Sequence, residues 1–367
     1  MDSDPIRPPY DCTCVKAKFQ PTPCPSSWVG TIARSCATER ICMKKTYNPG
    51  SRALRFPTPL RTVLTFAAAI TLGATAAHAQ TTDDGIMLSR FKYCTGVFYT
   101  YDTWDHYWEG TNFRSNANIG AITTRNVSYV GNYGLTDHIN LLVNVPYIWT
   151  SASQGVLHGQ RGWQDLTVSV KAKVLSVPVR SIGAVRAIAV VSGSIPMSDY
   201  TPTDAPLSIG TQSKQVAGRA TLNYLGKNGV YLNAGMAYTF RDVVTINQPE
   251  YYTNGQLYLS NQVSMPNTFD YNVGGGYRRN DMTLVVTYSD HQTRGGGDIR
   301  PQDMPFLSNR QLYSRIGGTV TIPVPRMHDL QYWAIYNYTL NGRNVGQANT
   351  ATVGMLYTFN FEKRGTK

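Results

Sequence analysis

The chain has 367 residues and a formal net charge of +12, of which +6 belongs to residues 80–367. This excess is modest and comes without a basic cluster, so we expect no nucleic-acid partner. The mean hydropathy of −0.27, and the lack of a long apolar run after residue 80, exclude a bundle of membrane-spanning helices.

The residues just before position 80 have the features of an export signal. Val63 to Ala77 forms a short apolar core that follows several arginines and precedes an Ala-His-Ala motif. This order predicts a secretory signal peptide over residues 56–79, cleaved between Ala79 and Gln80. The mature chain is therefore predicted to be exported through the inner membrane and to begin near Gln80.

Residues 1–55 precede this signal, and no folded domain is expected there. Met43 is followed by two lysines, as at the start of a signal peptide, so we interpret the residues before it as a non-structural extension. Five of the six cysteines fall in residues 1–42, where their odd number and irregular spacing argue against a metal or disulfide module. Cys94 is then the only cysteine of the mature chain, which excludes an intrachain disulfide.

Residues 80–367 contain many segments in which apolar and polar residues alternate. In Leu166–Val174 the apolar residues take the even positions and the polar residues take the odd positions. A period of two indicates a β-strand whose two faces meet different surroundings. Twelve strands are predicted, near residues 91–102, 119–133, 139–150, 164–175, 181–194, 215–225, 230–241, 267–278, 282–292, 309–322, 330–340 and 348–361.

The connectors between these strands alternate in length. Short ones, such as Gly134–His138 and Arg279–Asp281, contain Gly, Asn and Asp, which favour tight turns. The long ones all follow odd-numbered strands, as expected for a chain that starts in the periplasm and crosses outward first. A soluble β-sandwich has no reason to sort its connectors in this way. The sequence therefore predicts an all-β fold over residues 80–367: a transmembrane antiparallel up-and-down β-barrel of about 12 strands in a Gram-negative outer membrane.

Several short motifs resemble one known family. Tyr133–Asp137 forms a Tyr-Gly-Leu-Thr-Asp turn, the next strand ends in Val145–Tyr147, and Lys171 lies in the strand that Gln164 and Asp165 open. Together they resemble the outer-membrane transporter family that is linked to the meta-pathway of phenol degradation. The resemblance implies a barrel for the uptake of small, often aromatic molecules, and it carries over no catalytic or ligand-binding residue.

Basic side chains are enriched at the strand positions that should face the lumen. Counted by alternation, they are Lys171, Lys173, Arg219, Arg241, Arg278 and Arg315. Fewer acids face them, and the candidate partners are Asp102, Asp165 and Asp270. Rings of Arg or Lys give a pore an anion preference, whereas a paired network would plug and stiffen the barrel. Two hypotheses follow: a passive channel for small solutes, and a structural or surface-interaction barrel with a plugged lumen.

The first long connector contains the densest aromatic cluster of the chain. Trp104, His106 and Trp108 flank Asp105 and Tyr107. Aromatic faces beside a carboxylate and an imidazole can hold a ring-bearing or cationic ligand. The alternative is that this loop packs on its neighbours or on the lipid headgroup layer.

Enzyme chemistry is the weakest of the candidate functions. A lipid hydrolase would need a serine and a carboxylate near a histidine, and His158 or His291 could supply that base. Nothing in the spacing favours either, so we predict no catalytic residue. Gly295–Asp298 lacks the ordered acidic spacing of a calcium loop, so no metal and no cofactor are expected. The expected partners are outer-membrane lipid, the barrel assembly machinery and a small-molecule solute.

Overall fold

The computed structural model describes residues 81–180, 182–300 and 304–361. The predicted signal peptide, its cleavage site at Ala79 and Gln80, and the extension before it lie outside the described residues. Twelve long strands make up most of the described chain. They are β1 (Lys92–Trp104), β2 (Ile122–Gly134), β3 (Ile139–Ala152), β4 (Asp165–Val179), β5 (Gly183–Pro196), β6 (Gln215–Gly226), β7 (Val230–Arg241), β8 (Thr268–Arg279), β9 (Met282–Thr293), β10 (Leu312–Val324), β11 (Met327–Arg343) and β12 (Asn349–Asn360).

The strands close into a barrel. Each pairs antiparallel with its neighbour along the chain, and the last returns to the first. Tyr99 of β1 is thus opposite Val127 of β2 on one side and Val353 of β12 on the other. The closed sheet has no free edge, which is what a lipid bilayer demands of strands. The predicted all-β barrel of twelve antiparallel strands is confirmed, and every strand begins and ends within four residues of its predicted bounds.

The inner and outer faces of the wall differ in polarity because side-chain direction alternates along every strand. On β3, Asn140 is fully buried in the interior, whereas Leu141 is exposed on the outside. Asn223 and Leu222 show the same contrast on β6. A polar interior and an apolar exterior explain why the mean hydropathy resembles that of a water-soluble protein. Among the described residues, no helix is long and apolar enough to cross a membrane.

The two ends of the barrel differ in their connections. At the short-turn end, Asn280 and Asp281 join β8 to β9, and both have a positive φ, which is the geometry of a two-residue hairpin turn. At the long-loop end, the connections contain short strands of their own. These are His106–Glu109 with Asn112–Ser115, Val244–Thr245 with Gln262–Val263, Tyr251–Thr253 with Gln256–Tyr258, and Arg161–Trp163, which pairs with β3.

The loops at the long-loop end pack against one another. Two of them share a small apolar core, made of Val244, Ile246, Val263, Met265 and Leu307. Another loop buries Tyr200 and Ile209 against Ile148 of β3. These cores hold the long loops against one another and against the barrel wall at the long-loop end.

Candidate functional site

The chain lies inside the barrel before its first strand begins. Residues 81–90, which we call the inner segment, leave the lumen at the short-turn end, where Arg90 N donates a hydrogen bond to Asp137 Oδ1 (3.0 Å). Leu88 is fully buried in an apolar cluster of the wall, together with Cys94, Trp333 and Leu356. The lower lumen, by which we mean its part toward the short-turn end, is therefore occupied by the inner segment.

Wall side chains hold the inner segment through polar contacts. Asn233 Nδ2 donates to the Asp83 carbonyl (2.8 Å), and Arg219 Nη2 forms an ion pair with Asp83 Oδ1 (3.2 Å). Gly85 N donates to the Tyr231 hydroxyl (3.2 Å). Contacts from several strands thus fix the segment on more than one side.

The strongest anchor of the inner segment is a buried ion pair. Lys171 Nζ donates to Asp84 Oδ1 and to the Thr81 carbonyl, each at 2.7 Å. The Lys171 side chain is fully buried, and that of Asp84 is 16% exposed. Asp84 also accepts hydrogen bonds from Thr81 N (2.6 Å) and Ile86 N (2.9 Å), so its charge is well satisfied. Removal of either partner would leave a buried charge without compensation, which typically costs about 3–5 kcal/mol.

Two cavities of the lumen are relevant to a solute. The outer cavity, of about 610 Å³, lies below the long loops, and Trp104 and Phe306 are among its lining residues. The inner cavity, of about 420 Å³, reaches Asp83 of the inner segment. Tyr313 and Arg315 line both cavities, so these two residues form the boundary between them.

The boundary is part of a stacked column of four residues, Asp270, His291, Tyr313 and Arg315, which we call the central cluster. Asp270 Oδ1 lies 2.6 Å from His291 Nδ1, and the His291 ring stacks on Tyr313 with 4.8 Å between ring centroids. The Arg315 guanidinium carbon lies 4.4 Å from the Tyr313 ring centroid. Arg315 Nε donates to Thr339 Oγ1 (3.2 Å). Each side chain therefore limits the movement of the next, and the arginine is held in a fixed position.

The six basic residues predicted to face the lumen divide into three groups. Lys171 and Arg219 bind the inner segment. Lys173 is opposite the buried Ile188, which places it on the lumen face, and Arg278 donates to Thr283 Oγ1 (2.9 Å) beside the inner cavity. Arg241 and Arg315 make no ion pair within the described part of the chain.

The three acids predicted as partners of these cations have other contacts. Asp102 accepts a hydrogen bond from Thr350 (2.5 Å), and Asp165 accepts one from Tyr200 (3.1 Å). Asp270 is paired with His291. None of the three lies within 4.0 Å of a lysine or arginine nitrogen among the described residues. The acids that pair with the lumen cations are instead Asp83 and Asp84, which the alternation of the strands does not identify.

The aromatic cluster of the first loop divides between the cavity and the loop itself. Trp104 lines the outer cavity. The other two candidates pack across their hairpin, because His106 stacks on Phe113 at 5.5 Å and Trp108 contacts the same ring at 4.9 Å. His106 Nδ1 also lies 2.8 Å from Asp105 Oδ1. His106 and Trp108 thus hold the hairpin together, while Trp104 is placed where a solute could meet it.

A second long loop is tied to the barrel rim by a charged contact. Asp298 forms an ion pair with Arg343 at the end of β11, and Asn344 Nδ2 donates to Asp298 Oδ1 (2.8 Å). The Arg343 guanidinium is the main reason that the pKa of Asp298 falls to about 2. The Gly295–Asp298 motif thus ends in a carboxylate that joins this loop to Arg343.

The surroundings of His158 and His291, the two histidines considered as a hydrolase base, differ from each other. His291 has a carboxylate partner, but no serine is hydrogen-bonded to its ring within the described residues, and His158 lies in an exposed loop. No group of three or more His, Cys, Asp or Glu side chains in the described chain could hold a metal ion. The arrangement contains space, charge and aromatic faces, which are the elements of a binding and passage site.

A closed barrel of twelve antiparallel strands with a polar interior and an apolar exterior has the architecture of transmembrane β-barrels. Among solved structures, the chain is similar to the COG4313 outer membrane channel from Pseudomonas putida F1, with a TM-score of 0.60 and 15% identity over 76% of this chain and 99% of that one. The translocator domain of the autotransporter NalP from Neisseria meningitidis gives a TM-score of 0.36 and 11% identity, over 75% of this chain and 90% of that one. No protein-family model and no curated protein matches the chain.

Proposed function

We propose that this chain is an outer-membrane channel through which small solutes diffuse passively, with the long loops outside the cell and the short turns in the periplasm. The observation that carries the proposal is a closed barrel with two cavities that meet at Tyr313 and Arg315. A purely structural barrel needs no such space. The likeness to an outer membrane channel from Pseudomonas putida F1 supports the fold on which this proposal depends.

The solutes we propose are small molecules that are aromatic or anionic. Aromatic residues such as Trp104 and Phe306 line the outer cavity, and Arg315 lies at its lower boundary. The resemblance to the transporter family linked to phenol degradation favours aromatic compounds as well. Cavities of about 610 and 420 Å³ match the volumes that enclose small ligands in proteins.

Single-channel recording in planar bilayers tests this function. Purified barrel should produce discrete conductance steps, and a deletion strain should take up aromatic acids more slowly than the wild type. Heat-modifiable gel migration of the outer-membrane fraction tests fold and location together, since a folded barrel migrates faster before boiling. The absence of conductance at every voltage, combined with unchanged uptake in the deletion strain, would contradict the transport function.

A plugged structural barrel is the second candidate, and the inner segment is the observation that favours it. The ion pairs of Lys171 with Asp84 and of Arg219 with Asp83 close much of the lower lumen. The two candidates differ once these pairs are broken. A channel closed only by its inner segment should conduct in a Lys171→Met variant, whereas a permanently plugged barrel should stay silent.

A further inference from the structure

The cations of the lumen are of two kinds, those that are paired with an acid of the protein and those that are not. Lys171 and Arg219 direct their charge to the inner segment. Arg315 has one hydrogen-bond partner, Thr339, and its two terminal nitrogens have none among the described residues. Arg241 Nε is buried and has no hydrogen-bond partner in the described structure. The Arg315 guanidinium, which lines both cavities, is therefore the one of these two that a solute in the lumen can reach.

Charges of both signs surround the boundary between the two cavities. Tyr313 lines both cavities and lies within electrostatic range of two arginines, Arg241 and Arg315, and of two acids, Asp270 and Asp102. The nearby acid Asp270 is engaged by His291. Asp102 is also within electrostatic range of Arg315 but lies beyond 4.0 Å and accepts a hydrogen bond from Thr350. With Asp270 paired to His291 and Asp102 hydrogen-bonded to Thr350, Arg315 is left at this boundary with terminal nitrogens that a carboxylate can bind.

Aromatic surface lies on the outer side of this point. Trp104, Tyr107 and Phe306 line the outer cavity together with Tyr313. The cavity, at about 610 Å³, has room for a single aromatic ring with a short substituent. A guanidinium binds a carboxylate through two parallel hydrogen bonds, and such planar recognition is specific to arginine.

The geometry points to a binding site for aromatic monocarboxylates, with the ring in the outer cavity and the carboxylate at Arg315. This inference rests on the proposed channel function, because it names the class of solute that the lumen selects. Arg315 is the group that contacts the ligand, and the stack with Tyr313 and His291 positions it. This site accounts for one of the six predicted basic positions, whereas Lys171 and Arg219 hold the inner segment.

Equilibrium binding to the purified barrel in detergent tests the site without requiring transport. Isothermal titration would compare benzoate with acetate, which lacks the ring, with benzyl alcohol, which lacks the charge, and with benzylamine, which has the opposite charge. We expect benzoate to bind at least tenfold more tightly than each of the other three. An equal affinity for benzoate and benzyl alcohol would overturn the inference.

Three substitutions assign the binding to named residues. Arg315→Gln should weaken benzoate binding about tenfold or more, since charged hydrogen bonds contribute strongly to affinity. Asp102→Asn should strengthen it, because a competing negative charge is removed. Arg279→Gln is the matched control, as Arg279 is exposed at the short-turn end, and it should bind benzoate as the wild type does. Equal binding by Arg315→Gln and Arg279→Gln would overturn the assignment.

The binding and conductance results separate this inference from the proposed function. Selective benzoate binding by a barrel that never conducts, together with unchanged uptake in the deletion strain, would keep the site and contradict the channel. Conductance without selective benzoate binding would keep the channel and contradict the site. Heat-modifiable migration of each variant shows that the barrel is folded, so a loss of binding is assigned to the substituted side chain.

Discussion

The lower and upper halves of the lumen use the same type of residue for opposite purposes. In the lower half, Lys171 and Arg219 each meet a carboxylate of the inner segment, and their charges are neutralised within the protein. In the upper half, Arg315 lies at the boundary of the outer cavity without an ion pair in the described chain. The function of a basic side chain in the lumen can therefore be inferred only when its ion-pair partner is known. The paired cations hold the inner segment, and we propose that Arg315 faces the solute.

The largest expected effect comes from breaking the buried pair of the lower half. Lys171→Met leaves the largely buried Asp84 carboxylate without its cation. This should destabilise the binding of the inner segment inside the barrel by about 3–5 kcal/mol. The segment should leave the lumen, and single-channel conductance should rise severalfold above that of the wild type. Protease added at the short-turn end should also cleave residues 81–90 faster.

A compensating change sharpens this prediction. Lys171→Met combined with Asp84→Leu removes both charges, which is often close to neutral for a buried pair. The double variant should return toward the wild-type conductance. If it conducts as strongly as Lys171→Met alone, the buried charge is not the reason for the release, and the comparison between the two halves fails.

A smaller steric change should loosen the same segment. A Cβ atom on Gly85 would lie 2.1 Å from Asn223 Cβ, which is far too close for contact. Gly85→Ala should destabilise the bound position of the inner segment by about 1–3 kcal/mol, which is the usual cost of overpacking. Its conductance should therefore rise less than that of Lys171→Met. Gly193→Ala is the matched control, because nothing lies within 4 Å of the position that its Cβ atom would take. Equal conductance of the two alanine variants would show that the Gly85 contact is unimportant.

The barrel could be predicted from the sequence because its signal is local and repeated. Asn140 beside Leu141, or Asn223 beside Leu222, shows within a few residues which side is polar, and twelve strands repeat the pattern. The connectors add a second, independent signal, since the long ones all follow odd-numbered strands. Strand count, closure and facing all follow from residues that are neighbours in the sequence.

The inner segment could not be predicted in the same way. Its residues 81–90 have no period, and the contact of Lys171 with Asp84 joins positions 87 residues apart. Alternation shows that Lys171 faces the lumen, but it does not show what Lys171 meets there. One signal was present: Asp83 and Asp84 stand just after the predicted cleavage site, in a chain whose lumen cations outnumber the lumen acids.

A third prediction concerns the upper half, and its effect is smaller because the charge acts through water. At about 7 Å in water, one unit charge changes the energy of a passing ion by roughly 0.6 kcal/mol, or about threefold in population. In the Lys171→Met background, Arg315→Gln should therefore lower the ratio of anion to cation permeability about threefold, as measured by the reversal potential in a salt gradient. Arg279→Gln should leave that potential unchanged. An unchanged potential in both would remove Arg315 from the selectivity of the passage.

The smallest expected effect is at the long-loop end, where Asp298 is paired with Arg343 near solvent. The pKa of Asp298 is about 2, below the value of about 4 for a free aspartate, so the contact stabilises the loop fully above pH 4. Its contribution is lost as the pH falls through about 2. Because both side chains are partly exposed, the effect should stay below about 0.5 kcal/mol.

A spin label on a cysteine introduced at Met304 can report this contact, since Met304 lies in the same loop and Cys94 is buried. Label mobility in the wild-type background should stay constant from pH 7 to pH 4 and increase between pH 4 and pH 2. Asp298→Asn should show the more mobile spectrum at pH 7 and little further change on acidification. A wild-type transition near pH 6 would instead point to a histidine, and the loop would then depend on a different contact from the one that joins Asp298 to Arg343.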